Sequence, residues 1–161
     1  ADILVGDPTA SNAYATASGT AVFLYGRSKD SFDCQVNYDG TGFALHNIVN
    51  DILGTVNGSW LSSSTAADAT GQSVAFRDIN ADGYDDLVVV SNRRIYVIKG
   101  AAAKAWTFPV DLDTGGATFM VDIATNRPAE ATLGNGNNVV EVGDVNNDGL
   151  QDILLGNPNS Y

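Results

Sequence analysis

Two nine-residue stretches of this chain follow one template. Asp78-Ile-Asn-Ala-Asp-Gly-Tyr-Asp-Asp86 and Asp144-Val-Asn-Asn-Asp-Gly-Leu-Gln-Asp152 both read D-x-N-x-D-G-x-x-D. In such a spacing the side-chain oxygens of positions 1, 3, 5 and 9 converge on one centre, and a glycine at position 6 permits the turn that wraps the loop. Asp78, Asn80, Asp82 and Asp86 form one such set, and Asp144, Asn146, Asp148 and Asp152 the other. The main-chain carbonyls of Tyr84 and Leu150 can supply position 7. Calcium takes about six to eight oxygen ligands, and each loop offers nearly all of them from consecutive residues. Two complete copies make chance a poor explanation, so the sequence implies two calcium sites.

The residues that follow each loop limit the fold. A helix–loop–helix calcium motif needs a bidentate Glu at position 12 and a helix after it. Position 12 here is Val89 or Leu155. Leu87-Val88-Val89-Val90 and Ile153-Leu154-Leu155 are short apolar runs that read as buried strands. Ser73–Phe76 and Val139–Val142 are strand candidates on the other side of each loop. The unit is strand, loop, strand, which excludes EF-hand and dockerin-type helical repeats.

This unit resembles the FG-GAP repeat of integrin α-subunit heads and related propellers, in which the loop joins the first and second strands of a four-stranded blade. The second-strand signature occurs three times, as Asp2-Ile-Leu-Val-Gly-Asp-Pro8, Asp86-Leu-Val-Val-Val-Ser-Asn92 and Asp152-Ile-Leu-Leu-Gly-Asn-Pro158. Third strands are expected at 19–26 and 94–100, and fourth strands at 32–36 and 106–111. Pro109 suits an outer edge, where a missing amide hydrogen is tolerated. The resemblance implies an all-β fold of antiparallel FG-GAP-type β-propeller blades. Residues 1–40 are expected to be a partial blade (strands 2–4), 41–71 an insertion, 72–113 a complete blade, 114–136 a second insertion and 137–161 the start of the next blade. The intervals between Asp2, Asp86 and Asp152 exceed a minimal blade of about 40–50 residues, hence the insertions. A short helix is expected near 44–53, and Thr118–Asp122 is a further strand candidate.

Known propellers close with about 4–8 blades, so these blades form an incomplete ring. The expectation is that a longer polypeptide or further copies of the chain complete it, because unpaired strand edges invite pairing. In the resembled family the ions stiffen the scaffold. Without a cation, three clustered carboxylates repel one another, and calcium turns that repulsion into coordination.

Composition fits this reading. The formal charge is −11, and six of the 19 acidic residues are loop ligands. That balance argues against nucleic acid or an anionic membrane as partner, since both select clustered Lys and Arg. No apolar run is long enough to insert across a bilayer as a helix. Cys34 is the sole cysteine and reads as a small buried hydrophobe, while His46 reads as a surface or cap residue of the short helix. Residues 54–71 are rich in small polar types and read as a long loop, in which Asn57-Gly58-Ser59 is a glycosylation acceptor. Gly134–Asn138 opens no helix and is no phosphate cradle.

The leading functional expectation is a non-catalytic, calcium-binding adhesion or scaffold element, extracellular or on a cell surface, and a repeating unit of a filament or fibre. A lectin-like propeller is the alternative, with Trp60, Trp106 and Tyr38 available to stack on glycans. An enzyme acting on polysaccharides would have to recruit Lys99, Arg93, Arg94 and His46, which no spacing ties together.

Overall fold

The computed structural model of the protein describes residues 2–11, 15–26, 58–102, 110–116, 119–122 and 139–156. Ten strands occupy them: β1 (Ile3–Asp7), β2 (Thr20–Leu24), β3 (Gly58–Ser62), β4 (Ser73–Arg77), β5 (Asp86–Val90), β6 (Arg94–Ile98), β7 (Val110–Asp111), β8 (Phe119–Asp122), β9 (Val139–Gly143) and β10 (Asp152–Gly156). They form three sheets, ordered β1-β2-β3-β7, β4-β5-β6-β8 and β9-β10. The fold is all-β, with a complete four-stranded antiparallel blade in the second sheet. The expected helix at 44–53, the strand at 32–36, Cys34, His46, Asn57, Tyr38, Trp106 and Gly134–Asn138 lie outside the described residues.

Strand β5 shows why these residues form this architecture. Leu87, Val88, Val89 and Val90 are each at most 1% exposed. Successive strand side chains point to opposite faces, so a continuous apolar run needs cover on both. Leu87 and Val89 pack with Ala21, Phe23 and Leu61 of the first sheet. Val88 and Val90 pack with Val140, beside Val142, Ile153 and Leu155 of the third. The second sheet is therefore sandwiched, and each such side chain contributes about 1.5–3 kcal/mol by leaving water.

The three second strands obey one packing rule. Leu87 and Val89 face the preceding sheet, and so do their counterparts Ile153 and Leu155. Val88 faces the following sheet, and so does its counterpart Leu4. By the same rule Ile3 and Val5 face outward from the first sheet and Leu154 from the third. These three are 41%, 37% and 65% exposed.

Three strand placements differ from the sequence reading. Gly58–Ser62, within the expected loop, is β3 and pairs antiparallel with β2, Trp60 opposite Val22. Its composition, Gly-Ser-Trp-Leu-Ser, carries no β-branched residue and no alternation, so pairing rather than propensity makes it a strand. The fourth strand of the complete blade is Phe119–Asp122, beside β6, and not 106–111. The strand candidate at 118–122 is thus real, and it occupies the place expected for the earlier segment. Val110–Asp111 instead pairs parallel with β3. Between β6 and β8 the chain crosses to the first sheet as β7, makes one wide turn at Leu112–Gly116, and returns. This strap ties two blades together.

The first sheet also meets the approach to β4 through a close backbone crossing. A Cβ on Gly6 would sit 2.0 Å from the Gly71 carbonyl oxygen, and Gly71 itself has φ +91°. Gly6→Ala is expected to destabilise by about 1–3 kcal/mol, the usual cost of overpacking, read as a lower urea midpoint. Gly156, its counterpart in β10, has nothing closer than 3.8 Å, so Gly156→Ala should leave the midpoint nearly unchanged.

Candidate metal centre

Both nine-residue loops sit at the tips of equivalent hairpins. The β4–β5 ladder ends on the pair Arg77–Asp86, and the β9–β10 ladder on Gly143–Asp152. The backbone conformations also repeat. Position 4 is left-handed in both (Ala81 φ 59°, Asn147 φ 59°), as is the glycine at position 6 (Gly83 φ 90°, Gly149 φ 89°).

Hydrogen bonds repeat in the same way. The first Asp takes two loop amides: Asp82 N and Gly83 N donate to Asp78 at 3.0 and 2.7 Å, and Asp148 N and Gly149 N donate to Asp144 at 3.1 and 2.9 Å. Asp82 N also donates to Asn80 Oδ1, and Asp148 N to Asn146 Oδ1, both at 2.9 Å. The fifth-position carboxylates accept from Tyr84 N at 3.0 Å and Leu150 N at 2.8 Å. The ninth-position carboxylates reach back to the second residue, accepting from Ile79 N and Val145 N at 3.0 Å. Short-range bonds of this kind from Asp and Asn side chains are what bend the chain into the loop. The Leu150 amide, followed by the Asn146 side chain, holds the exposed Asp148 carboxyl below its ordinary range.

Asp86 anchors the first loop to the blade. It is 1% exposed, and its Oδ1 accepts from Gly100 N, just beyond β6, at 2.8 Å. Asp2 does the same in the first sheet, accepting from Gly26 N at 2.6 Å. A second-strand aspartate thus clasps the end of the third strand in both sheets.

The donor set fits a hard cation. Each carboxylate or amide oxygen has two lone pairs, so one that accepts a loop amide retains a lone pair for a metal. Among the described residues no three Asp, Glu, His or Cys side chains are drawn into a metal-holding group. The loop wrap and its amide-to-carboxylate bonds are nonetheless the same at both hairpin tips. Asp78, Asn80, Asp82 and Asp86 with the Tyr84 carbonyl would hold one ion, and Asp144, Asn146, Asp148 and Asp152 with the Leu150 carbonyl the other.

The two loops are not equal. Lys99 Nζ stands 3.9 Å from Asp82 Oδ2, a cation that would compete with a metal for this carboxylate. Position 4 of that loop is Ala81, whereas the second has Asn147, a residue type that tolerates left-handed backbone better. Lys99→Ala is expected to tighten calcium binding at the first loop a few-fold and leave the second alone. Calcium titration followed at the Gly83 and Gly149 amides checks this.

Residues 78–155 match the family of FG-GAP-like repeats. This part of the chain is an FG-GAP-like repeat. The match begins on the first residue of the first loop and ends inside β10. No curated protein and no solved structure gives a match.

The opposite end of the FG-GAP-like blade carries a polar knot that the sequence reading missed. Asp113 lies in the strap turn. Its Oδ2 accepts from Ser63 Oγ at 2.8 Å, from Ser64 N and Oγ at 3.0 and 3.1 Å, and from Thr65 N and Oγ1 at 3.1 and 3.0 Å. Its Oδ1 accepts from Arg94 at 2.7 Å and Tyr96 Oη at 2.8 Å. Burial works to raise the Asp113 carboxyl, but bonds from Ser63, Tyr96 and Thr65 and the charge of Arg94 outweigh it and bring it to about 2. Asp68, fully buried, lies 3.2 Å from Tyr96 Oη. Residues 63–68 follow β3, Arg94 and Tyr96 lie on β6, and Asp113 follows β7, so the knot joins three separate segments. Of its members only Arg94 was a sequence candidate, for chemistry with Lys99. The structure parts them, Arg94 in the knot and Lys99 beside the first nine-residue loop.

Proposed function

We propose that the protein is a non-catalytic, calcium-stiffened segment of an integrin-like β-propeller, acting outside cells as an adhesion or scaffold element. The observation that carries this reading is the duplication of the loop: the same ladder end, the same left-handed positions and the same amide-to-carboxylate bonds occur at both hairpin tips. Such duplication suits a part whose purpose is to hold strands in blades. Calcium affinities of about 0.1–1 mM are usual for extracellular modules and match calcium-rich fluid, and FG-GAP repeats are typical of extracellular and surface proteins. No helix among the described residues is long and apolar enough to cross a membrane, a statement that leaves strands aside.

The partner in this reading is another blade, supplied by further copies of the chain or by a longer polypeptide. Ile3 and Val5 on one outer face, and Leu154 with Val139 (55% exposed) on the other, are the surfaces that the packing rule assigns to a preceding and a following sheet. Glycan binding has less support. Trp60 lies in β3 and is half-buried, not displayed on a loop.

Scattering and sedimentation of the calcium-loaded protein test the scaffold reading. Rings or head-to-tail fibres are expected, disrupted by Leu154→Glu. A compact monomer at all concentrations would remove self-assembly from the account.

A further inference from the structure

We propose that Asp68 is a neutral carboxylic acid in the folded protein, donating to Tyr96 in a one-way hydrogen-bond chain that continues to Asp113, and that its ionisation loosens the seam between the first two sheets. The Tyr96 hydroxyl has one hydrogen, yet it meets two carboxyl groups, Asp113 Oδ1 at 2.8 Å and Asp68 Oδ2 at 3.2 Å. If both were ionised, one contact would set lone pair against lone pair in a site where Tyr96 and Asp68 are both 0% exposed.

One of the two must therefore carry a proton. Asp113 has no place for it, because five donors converge on Oδ2 and the Arg94 guanidinium occupies Oδ1 alongside Tyr96. Asp68 is different. Its Oδ1 is buried with no donor inside ordinary hydrogen-bond distance, the Ser91 and Ser63 hydroxyls standing near the carboxyl, an arrangement costly for a carboxylate and far less so for the carbonyl oxygen of an acid. A proton on Oδ2 then donates to the Tyr96 oxygen, and the Tyr96 hydrogen goes to Asp113.

The groups around Asp68 come from each neighbouring segment. They are Tyr96 and Arg94 on β6, Asp113 in the strap, Ser91 after β5 and Ser63 after β3. Arg94, the cation among them, is bonded to Asp113 at 2.7 Å. Burial pushes the Asp68 carboxyl up, against opposing bonds from Ser91, Ser63 and Tyr96 and the charge of Arg94. The backbone is also distorted to place this side chain inward: Ala67 and Ala69 have φ 57° and 51°, a costly region for residues with a Cβ. The Asp68 carbonyl accepts from Asn92 N at 2.7 Å, and the Ala67 carbonyl from Asn92 Nδ2 at 3.0 Å.

A carboxyl whose folded pKa lies above its unfolded value stabilises fully below the unfolded value, and that contribution is lost as pH rises through the folded one. Asp68 thus makes the seam weaker as the medium becomes less acidic, opposite to Asp113.

Carboxyl-carbon NMR of the labelled full chain, with calcium held constant, tests this. The Asp68 carboxyl is expected to titrate above the ordinary aspartate range, while Asp113 stays ionised far below it. In parallel, the urea midpoint of the wild type should fall as pH rises through the Asp68 transition. Asp68→Asn, whose amide donates to Tyr96 at every pH, should lack that fall. Titration of Asp68 at or below the ordinary range would overturn the proposal, and so would an identical pH dependence in Asp68→Asn. Should that variant not fold, the wild-type carboxyl signal decides alone.

Discussion

Asp113→Ala is expected to lower stability by about 3 kcal/mol, the low end of the cost of breaking a buried ion pair, because this pair is only partly buried. Its side chain is 12% exposed and that of Arg94 20%, so the guanidinium loses a largely shielded carboxylate and keeps the Thr65 hydroxyl at 3.3 Å. The donors of Ser63, Ser64 and Thr65 lose their common acceptor, and Tyr96 loses the bond at 2.8 Å. The strap would no longer be pinned where it crosses between sheets. Urea denaturation measures the loss, and Asp111→Ala is the control. Asp111 Oδ1 accepts the Asp113 amide at 3.0 Å but belongs to no ion pair among the described residues, so its removal should cost only about 1 kcal/mol. The Asp113 carboxyl is held down to about 2. Its contribution is accordingly complete above the ordinary carboxylate range and is lost as pH falls toward that value, a loss that Asp113→Ala should not show. A cost below about 1 kcal/mol for Asp113→Ala would mean that the knot does not bind the blades together.

Withdrawal of calcium is expected to have an effect of similar size, acting from the other end of the blade. A ligand at 100 times its dissociation constant stabilises by about 2.7 kcal/mol, so two loops together account for roughly 5 kcal/mol between saturating calcium and chelator. Asp78→Ala should remove one loop's share and Asp144→Ala the other's. Each of these side chains accepts two of its loop's amides besides being a proposed ligand. The double variant should respond to calcium no more than to added salt. Thermal unfolding in calcium and in chelator, for all four proteins, separates the two shares. The loss from a mutated loop amide network appears in both media, whereas the ligand contribution appears only with calcium.

What could be read from sequence divides along a physical line. The loops and their flanking strands were legible because they are local. Nine residues fix the turn, the ninth-position aspartate fixes where β5 and β10 begin, and the all-apolar Leu87–Val90 run announces cover on both faces. Strand β3 was not legible, because Gly58–Ser62 has neither alternation nor β-branched residues and gains its strand form by pairing with β2. The outer strand of the blade was misplaced for a related reason. Val110–Asp111 is a strand, but its partner is β3, and the choice between two sheets is a tertiary one. The knot was least accessible of all. Ser63, Asp68, Arg94, Tyr96 and Asp113 have no common spacing, and their association exists only once the strap has crossed between the sheets.

On the proposed reading each loop holds one calcium ion. Direct titration with calcium, followed at the Gly83 and Gly149 amides in the full chain, tests it most simply. Both resonances should move and saturate at two ions per chain, within about 0.1–1 mM, with the second loop filling first. If neither amide responds in about 10 mM calcium, ten times the weak end of that range, the loops are turns and not metal sites.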